Sequence, residues 1–138
     1  MKWIISIAIF AVLFGASIYF IMPAGISGEI INGIKLPKYA LASPQIKEAY
    51  LFAKENPEAL DGVKCYCGCM EMLHDGRIHS KGLHDCFLNP DSKDGFEIHG
   101  SQCEMCVNDA LQVKSLIGDG KTKNEIKEII DSKYAKQN

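Results

Sequence analysis

The sequence predicts an all-α protein in which an N-terminal transmembrane helix precedes a small helical, cysteine-rich domain stapled by a cysteine cluster. Three observations lead to this prediction. Residues 3–22 contain no charged side chain, the rest of the chain carries repeated helix-capping signals, and six cysteines lie between Cys65 and Cys106. The 138 residues have the length of a single domain.

The charge balance and the absence of certain motifs exclude two classes of partner. The 15 basic and 17 acidic side chains give a formal net charge of -2, without the basic stripe that nucleic-acid binders show. The sequence holds no glycine-rich phosphate loop and no serine-nucleophile motif. We therefore expect neither nucleic acid nor nucleotide as a partner, and we assign no catalytic residue.

The apolar run is long enough to cross a membrane. At about 1.5 Å per residue, residues 3–22 span about 30 Å, the thickness of the hydrocarbon core of a bilayer. A cleaved signal peptide is the alternative, but the best cleavage site, Ala40–Ala42, comes late. Lys2 precedes the run and Glu29 follows it, so the N-terminus is expected in the cytoplasm. Residues 1–22 are thus predicted to form a single-pass anchor in the cell membrane.

Residues 23–42 are predicted to link the anchor to an extracytoplasmic domain over residues 43–138. Within this linker, Asn32-Gly33 lies between short apolar runs, which favours either a small hairpin or an extended segment.

Capping signals predict three helices in the domain. Ser43 is a typical N-cap with proline after it, and this helix is expected to end before Pro57. A second helix is predicted to begin at the Ser101-x-x-Glu104 capping box and to end at Gly118 or Gly120. Its predicted apolar face comprises Cys103, Cys106, Ala110, Val113 and Ile117. The Thr122-x-x-Glu125 box predicts a third helix, with Ile126, Ile129, Ile130 and Tyr134 on its inner face.

Residues 65–100 show no hydrophobic period and several glycines. A domain of fewer than about 100 residues with such a segment has a small apolar core. Domains of this size commonly depend on disulfides or a metal, so we expect the cysteines to hold the central segment.

The cysteines allow three interpretations. An even number in an exported domain is typical of a disulfide framework, although three bridges from Cys65, Cys67 and Cys69 would crowd one small volume. The Cys103-x-x-Cys106 pair could be a redox dithiol at a helix N-terminus. Metal ligation fits the crowding best, because a cation removes the repulsion between neighbouring thiolates.

The donor set favours a soft metal ion. Six thiolates and two imidazoles suffice for two tetrahedral zinc sites without a shared ligand, or for one thiolate-bridged cluster. Nearby Met70, Met72 and Met105 incline the prediction toward copper(I), for which a thioether is an acceptable ligand. Zinc is the second choice, and an iron–sulfur cluster would need only four of the cysteines.

These residues resemble a bacterial and archaeal family with a Cys-Tyr-Cys-x-Cys signature, known as the PCYCGC or CYCXC family. The resemblance extends over about residues 45–134. It is carried, in chain order, by Ala49–Ala53, Asn56–Glu58, Cys65–Cys69, Asp85–Phe87, His99, Cys103 and Cys106, and the helix from Glu125 to Tyr134. Lys64 stands where the family usually has proline before the first cysteine, and the stretch 73–82 is longer than usual.

The resemblance implies a small exported protein with a membrane or lipid anchor. It also completes the predicted ligand set, because His79 and His99 match the family's histidines, with His84 as the substitute for His79. The predicted metal ligands are Cys65, Cys67, Cys69, Cys86, Cys103, Cys106, His79 and His99.

The expected function is that of a membrane-anchored, extracytoplasmic protein that holds or delivers a soft metal, copper first and zinc second. Its expected partners are the membrane and a metalloprotein or membrane complex. A thiol–disulfide redox protein is the first alternative, because some members of the resembled family carry selenocysteine. An accessory subunit of a membrane complex, stapled by disulfides or a metal, is the second.

Overall fold

The computed structural model of the chain describes residues 28–73 and 76–135. The predicted anchor over residues 1–22 lies outside the described residues. Within these described ranges, no helix has the length and apolar character needed to span a bilayer.

A two-stranded hairpin begins the described chain. β1 (Ile30–Ile31) pairs antiparallel with β2 (Ile34–Lys35), so the hairpin expected at Asn32-Gly33 is confirmed. Both turn residues have positive φ, 51° at the asparagine and 78° at the glycine. Asn-Gly is the dipeptide that accepts this pair of left-handed conformations in a tight hairpin turn.

The segment after the hairpin packs into the core. A 3₁₀ turn (Lys38–Leu41) follows β2, and Leu36 and Ala40 are fully buried. The Tyr39 ring meets the Tyr50 ring edge-on at 5.8 Å. Residues 36–41 are therefore a packed segment as well as a connection, because their apolar side chains are buried against the helix that follows.

The first predicted helix is confirmed as α1 (Pro44–Glu55). The Ser43 Oγ accepts the backbone N–H of Ile46 at 3.1 Å, which is the expected N-cap contact. A further turn, α2 (Pro57–Leu60), follows the break at Asn56.

The segment without a hydrophobic period contains two short helices, α3 (Leu83–Phe87) and α4 (His99–Gln102). Isolated bridges join Val63 to Gly82 and Leu88 to Phe96, and so tie the loops around α3 to the rest of the domain. Elements of four or five residues are too short to produce a recognisable period, and for that reason the sequence did not reveal them.

The C-terminal helices are α5 (Glu104–Gly118) and α6 (Lys123–Ala135). The Thr122 box is confirmed, since the Thr122 N–H donates to the Glu125 carboxylate at 2.8 Å. The prediction that a helix begins at a capping box on Ser101 is wrong. The Ser101 hydroxyl donates to the Ile98 carbonyl, and Cys103 takes the N-cap position of α5. Cys103 is extended, with φ -124° and ψ 105°, so the helix predicted from Ser101 is split in two at this cysteine.

The core forms where α1 packs against α5. Tyr50 on α1 is fully buried and meets the rings of Phe87 and Phe96 edge-on, at 5.1 and 6.0 Å. Along α5 the predicted inner face holds as far as Val113, whereas Ile117 is 41% exposed. Of the residues predicted for the inner face of α6, Ile126, Ile130 and Tyr134 are buried and Ile129 is partly buried. Cys65, Cys69, Cys86 and Cys106 belong to the same continuous cluster of buried residues.

Candidate metal centre

All eight predicted ligands converge on one region, between the loop of residues 65–69, α3 with the loop before it, and the junction of α4 with α5. The six cysteines all lie in the described part of the chain, and their thiols are unbridged. The donor atoms fall into four overlapping groups, and within each group all atoms lie within 4.8 Å of one another. The groups are Cys67, His99, Cys103 and Cys106; Cys69, His79, Cys86 and His99; Cys65, Cys67 and Cys69; and Cys65, Cys86 and Cys106.

The loop of residues 65–69 presents three thiols to the same space. Gly68 has φ +91°, a left-handed conformation that turns the chain between Cys67 and Cys69. The Cys65 N–H donates to the Met70 sulfur at 3.4 Å, which fixes the start of the loop. The Cys65 and Cys67 Sγ atoms lie 3.1 Å apart.

α3 supplies Cys86, and the loop before it supplies His79. The Cys86 Sγ lies 3.6 Å from the Cys69 Sγ and 3.6 Å from the His79 Nδ1. Gly82 caps α3 with φ +67°, and a Cβ there would collide with the Val63 carbonyl. This glycine lets the chain turn closely enough for α3 to bring Cys86 to the loop.

The junction of α4 and α5 supplies the other three ligands. The His99 Nε2 lies 3.4 Å from the Cys67 Sγ. The Cys106 Sγ lies 3.4 Å from that of Cys65 and 3.8 Å from that of Cys67. Cys103 belongs to the same group as His99 and Cys106, because the break between the two helices turns its side chain toward them.

Of the two histidines considered for the same role, the structure places His79 at the thiols. The His84 Nδ1 lies 2.9 Å from the Asp85 carboxylate, and His84 belongs to none of the donor groups found among the described residues. His79 is fully buried, and its backbone N–H donates to the Cys69 carbonyl at 3.3 Å.

The thiols strongly perturb one another. Hydrogen bonding with Cys106 holds the pKa of Cys65 far below its usual range, and hydrogen bonding with Cys86 lowers the pKa of Cys67 to about 4. The pKa of Cys86 is raised by its hydrogen bond with Cys106, and that of Cys106 by its hydrogen bond with Cys65. Some of these thiols therefore ionise only at the expense of others, unless a cation compensates the charge.

Burial and the neighbouring His99 lower the pKa of His79. The His79 ring is consequently neutral near pH 7, which is the form that binds a metal.

Two of the three methionines that inclined the prediction toward copper have the following surroundings. Met70 supports the backbone of the cysteine loop through its hydrogen bond from Cys65, and Met72 is 57% exposed.

The sequence did not predict that the cysteine loop is held against α6 by an aromatic stack and a buried carboxylate. Tyr66, between two of the cysteines, stacks on Tyr134 of α6 at 4.4 Å. The Tyr134 hydroxyl donates to Asp109, which is fully buried and also accepts a hydrogen bond from Lys133 at 2.7 Å. The signal in the sequence is Asp109, a carboxylate that lies one turn after Cys106 on the inner face of α5.

Comparison with known proteins finds one family. The family described as "Protein of unknown function with PCYCGC motif" matches residues 22–138, which include the whole cluster. No curated protein and no solved structure matches the chain. The matched motif is the run Lys64-Cys65-Tyr66-Cys67-Gly68-Cys69, with lysine in place of the leading proline. The chain belongs to the PCYCGC-motif family.

Proposed function

We propose that this protein binds a soft metal ion, copper or zinc, through its thiol–imidazole cluster and holds or delivers that ion outside the cytoplasm. The observation that carries the proposal is the convergence of six thiols and two imidazoles in overlapping groups with donor atoms within 4.8 Å. Two sulfurs bound to one tetrahedral ion at about 2.3 Å are separated by about 3.8 Å. The observed sulfur separations of 3.1 to 3.8 Å are close to this value.

The chemistry of the donors selects the class of ion. Thiolates favour soft or borderline cations over magnesium or calcium, which prefer oxygen ligands. The two four-donor groups contain three thiols with one imidazole and two thiols with two imidazoles. Both compositions are typical of tetrahedral zinc, and copper(I) binds the same soft ligands.

The proposal places the domain outside the cytoplasm, attached through a helix over residues 3–22. The uncharged run and the single Lys2 before it support this orientation. A cluster held at the membrane surface is suited to passing its ion to a metalloprotein or membrane complex nearby.

The test is a metal titration of the full-length chain in detergent, with zinc(II) and copper(I) each in competition with a chelator of known affinity. We expect tight, stoichiometric binding that is strongly weakened in Cys67→Ser and kept in the control His84→Gln, whose ring faces Asp85.

The location is tested separately in cells that express the protein. Protease added to spheroplasts should degrade the C-terminal domain. A wild-type chain that binds neither metal would contradict the proposal, and a domain protected in intact spheroplasts would contradict the location.

A second candidate is a disulfide-linked or thiol-redox domain. The observation in its favour is that cysteines of the loop each have a sulfur from another element nearby. Cys65 and Cys106 lie 3.4 Å apart and Cys69 and Cys86 lie 3.6 Å apart, so small movements would permit two bridges without a shared cysteine. If this candidate is right, the purified protein contains disulfides and binds metal only after they are reduced.

A further inference from the structure

We infer that the centre binds two ions in separate four-ligand sites, an enclosed site that retains its ion and an accessible site that passes its ion on. This inference rests on the proposed function, since it specifies which part of the cluster holds a metal permanently and which part can transfer one.

The accessible site is a complete group of four donors. Its ligands are Cys67, His99, Cys103 and Cys106, and every pair of their donor atoms lies within 4.8 Å. The Cys67 Sγ lies 3.4 Å from the His99 Nε2 and 3.8 Å from the Cys106 Sγ. Three thiolates and one imidazole complete a tetrahedral ion, so this site needs no donor from the rest of the cluster.

The enclosed site uses the four donors that remain, Cys65, Cys69, Cys86 and His79. The Cys86 Sγ lies 3.6 Å from the Cys69 Sγ and 3.6 Å from the His79 Nδ1. The Cys65 Sγ shares a donor group with each of the other two sulfurs and therefore lies within 4.8 Å of both. Cys65 and His79 share no donor group among the described residues, so an ion bound here draws these two ligands together. This site also has three thiolates and one imidazole, and the two sites have no ligand in common.

The two sites differ in their access to solvent. All four ligands of the enclosed site are buried, and none of them is more than 2% exposed. In the accessible site, Cys67, His99 and Cys103 are partly exposed, and Cys106 is buried. A tetrahedral ion exchanges ligands by first accepting an incoming donor, so the donor must reach the ion itself. A partner can therefore approach the accessible ion and is kept away from the enclosed one.

The sites also join different segments of the chain. The enclosed site connects the loop of residues 65–69 with His79 and α3, all within the segment that lacks a hydrophobic period. The ion and the fold of this segment are expected to form together. The accessible site takes Cys103 and Cys106 from the start of α5, a helix that also packs against α1 in the apolar core. Its ion can therefore leave while α5 stays in place.

Transfer of the accessible ion begins at Cys103. This residue is partly exposed and lies at the N-cap of α5, where the backbone is extended. The acceptor is a soft side-chain donor of a second metal-binding protein. Its donor atom binds the ion as the bond between the ion and the Cys103 sulfur breaks, and the freed thiolate takes up a proton from solvent. The ion keeps its oxidation state, so the step needs neither an oxidant nor a reductant.

The test measures how fast zinc leaves the full-length chain in detergent after a strong chromophoric chelator is added in excess. We expect two zinc ions per chain, released in a fast and a slow phase of one ion each. Cys103→Ser should bind one ion and lose the fast phase while the slow phase remains. Serine is itself a favourable N-cap residue, so α5 is expected to persist in this variant. The control His84→Gln should keep two ions and both phases.

The outcomes separate the inference from the proposed function. If one zinc ion binds, if two ions leave at a single rate, or if Cys103→Ser loses the slow phase instead, the division into a retained and a transferable ion is wrong while metal binding stands. If no zinc binds, the two tetrahedral sites are wrong, and the metal-binding proposal fails with them only if copper(I) does not bind either. Two phases in the wild-type chain support the division even if Cys103→Ser does not fold, and a single phase overturns it.

Discussion

His79 and His84 flank the same short turn, but their rings have different partners. The His79 Nδ1 lies 3.6 Å from the Cys86 sulfur, whereas the His84 Nδ1 lies 2.9 Å from the carboxylate of Asp85. Two residues of one type, close in sequence, therefore have separate roles. One faces the thiols, and the other helps to hold the turn that carries them.

This difference predicts unequal effects of the same substitution. His79→Gln should lower the metal affinity by more than the roughly 10–100-fold that loss of an outer-shell partner costs, because a direct ligand is removed. His84→Gln, the matched control, should stay at or below that range. Competition titration of both variants with zinc checks the prediction, and equal losses would contradict the assignment of His79.

At this scale the sequence predicted residue types better than their conformations. Six clustered cysteines are enough to indicate ligands, and the choice of His79 and His99 came from the family resemblance. The extended backbone of Cys103 and the contact of Met70 with the Cys65 N–H were not predictable. Both depend on the cluster around them, and neither leaves a local pattern.

At the scale of elements, α4 packs closely against α3 through a glycine. A Cβ at Gly100 would lie 2.7 Å from the Phe87 ring and 2.8 Å from the Cys86 carbonyl. Phe87 is fully buried and has no room to withdraw. The close approach fixes the distance between Cys86 on α3 and His99 on α4.

Gly100→Ala should therefore lower the free energy of unfolding by about 1–3 kcal/mol, the usual cost of inserting a methyl group into a packed contact. Gly118→Ala is the control, because Gly118 is also helical and nothing lies within 4 Å of its Cβ position. Denaturant unfolding of both variants measures the difference. Unchanged stability in Gly100→Ala would show that the contact between α3 and α4 yields easily.

The sequence predicted the elements that have their own capping or periodic signals. α1 and α6 begin where Ser43 and Thr122 indicate. α3 and α4 are too short for a period, and the Ser101 box was misleading because the chain bends at Cys103. In that case a tertiary demand, bringing a thiol to the cluster, overrides a local capping preference.

At the scale of the whole molecule, the domain joins a small apolar core to a cysteine cluster. The core lies where α1 packs against α5, and the cluster gathers the loop of residues 65–69, α3 and α4 beside it. The sequence predicted this division from the lack of a hydrophobic period over residues 65–100. It did not predict that residues 36–41 pack onto α1, because a short apolar stretch after a hairpin does not distinguish a packed segment from a spacer.

The state of the six thiols in the isolated protein tests the account most directly. The measurement is paired native and denaturing mass spectrometry of the full-length chain, purified in detergent without chelator or reductant. The account predicts a native mass that includes bound metal and a denatured mass with six intact thiols. A metal-free native mass, with a denatured mass lower by two hydrogens for each of two or three disulfides, would contradict it.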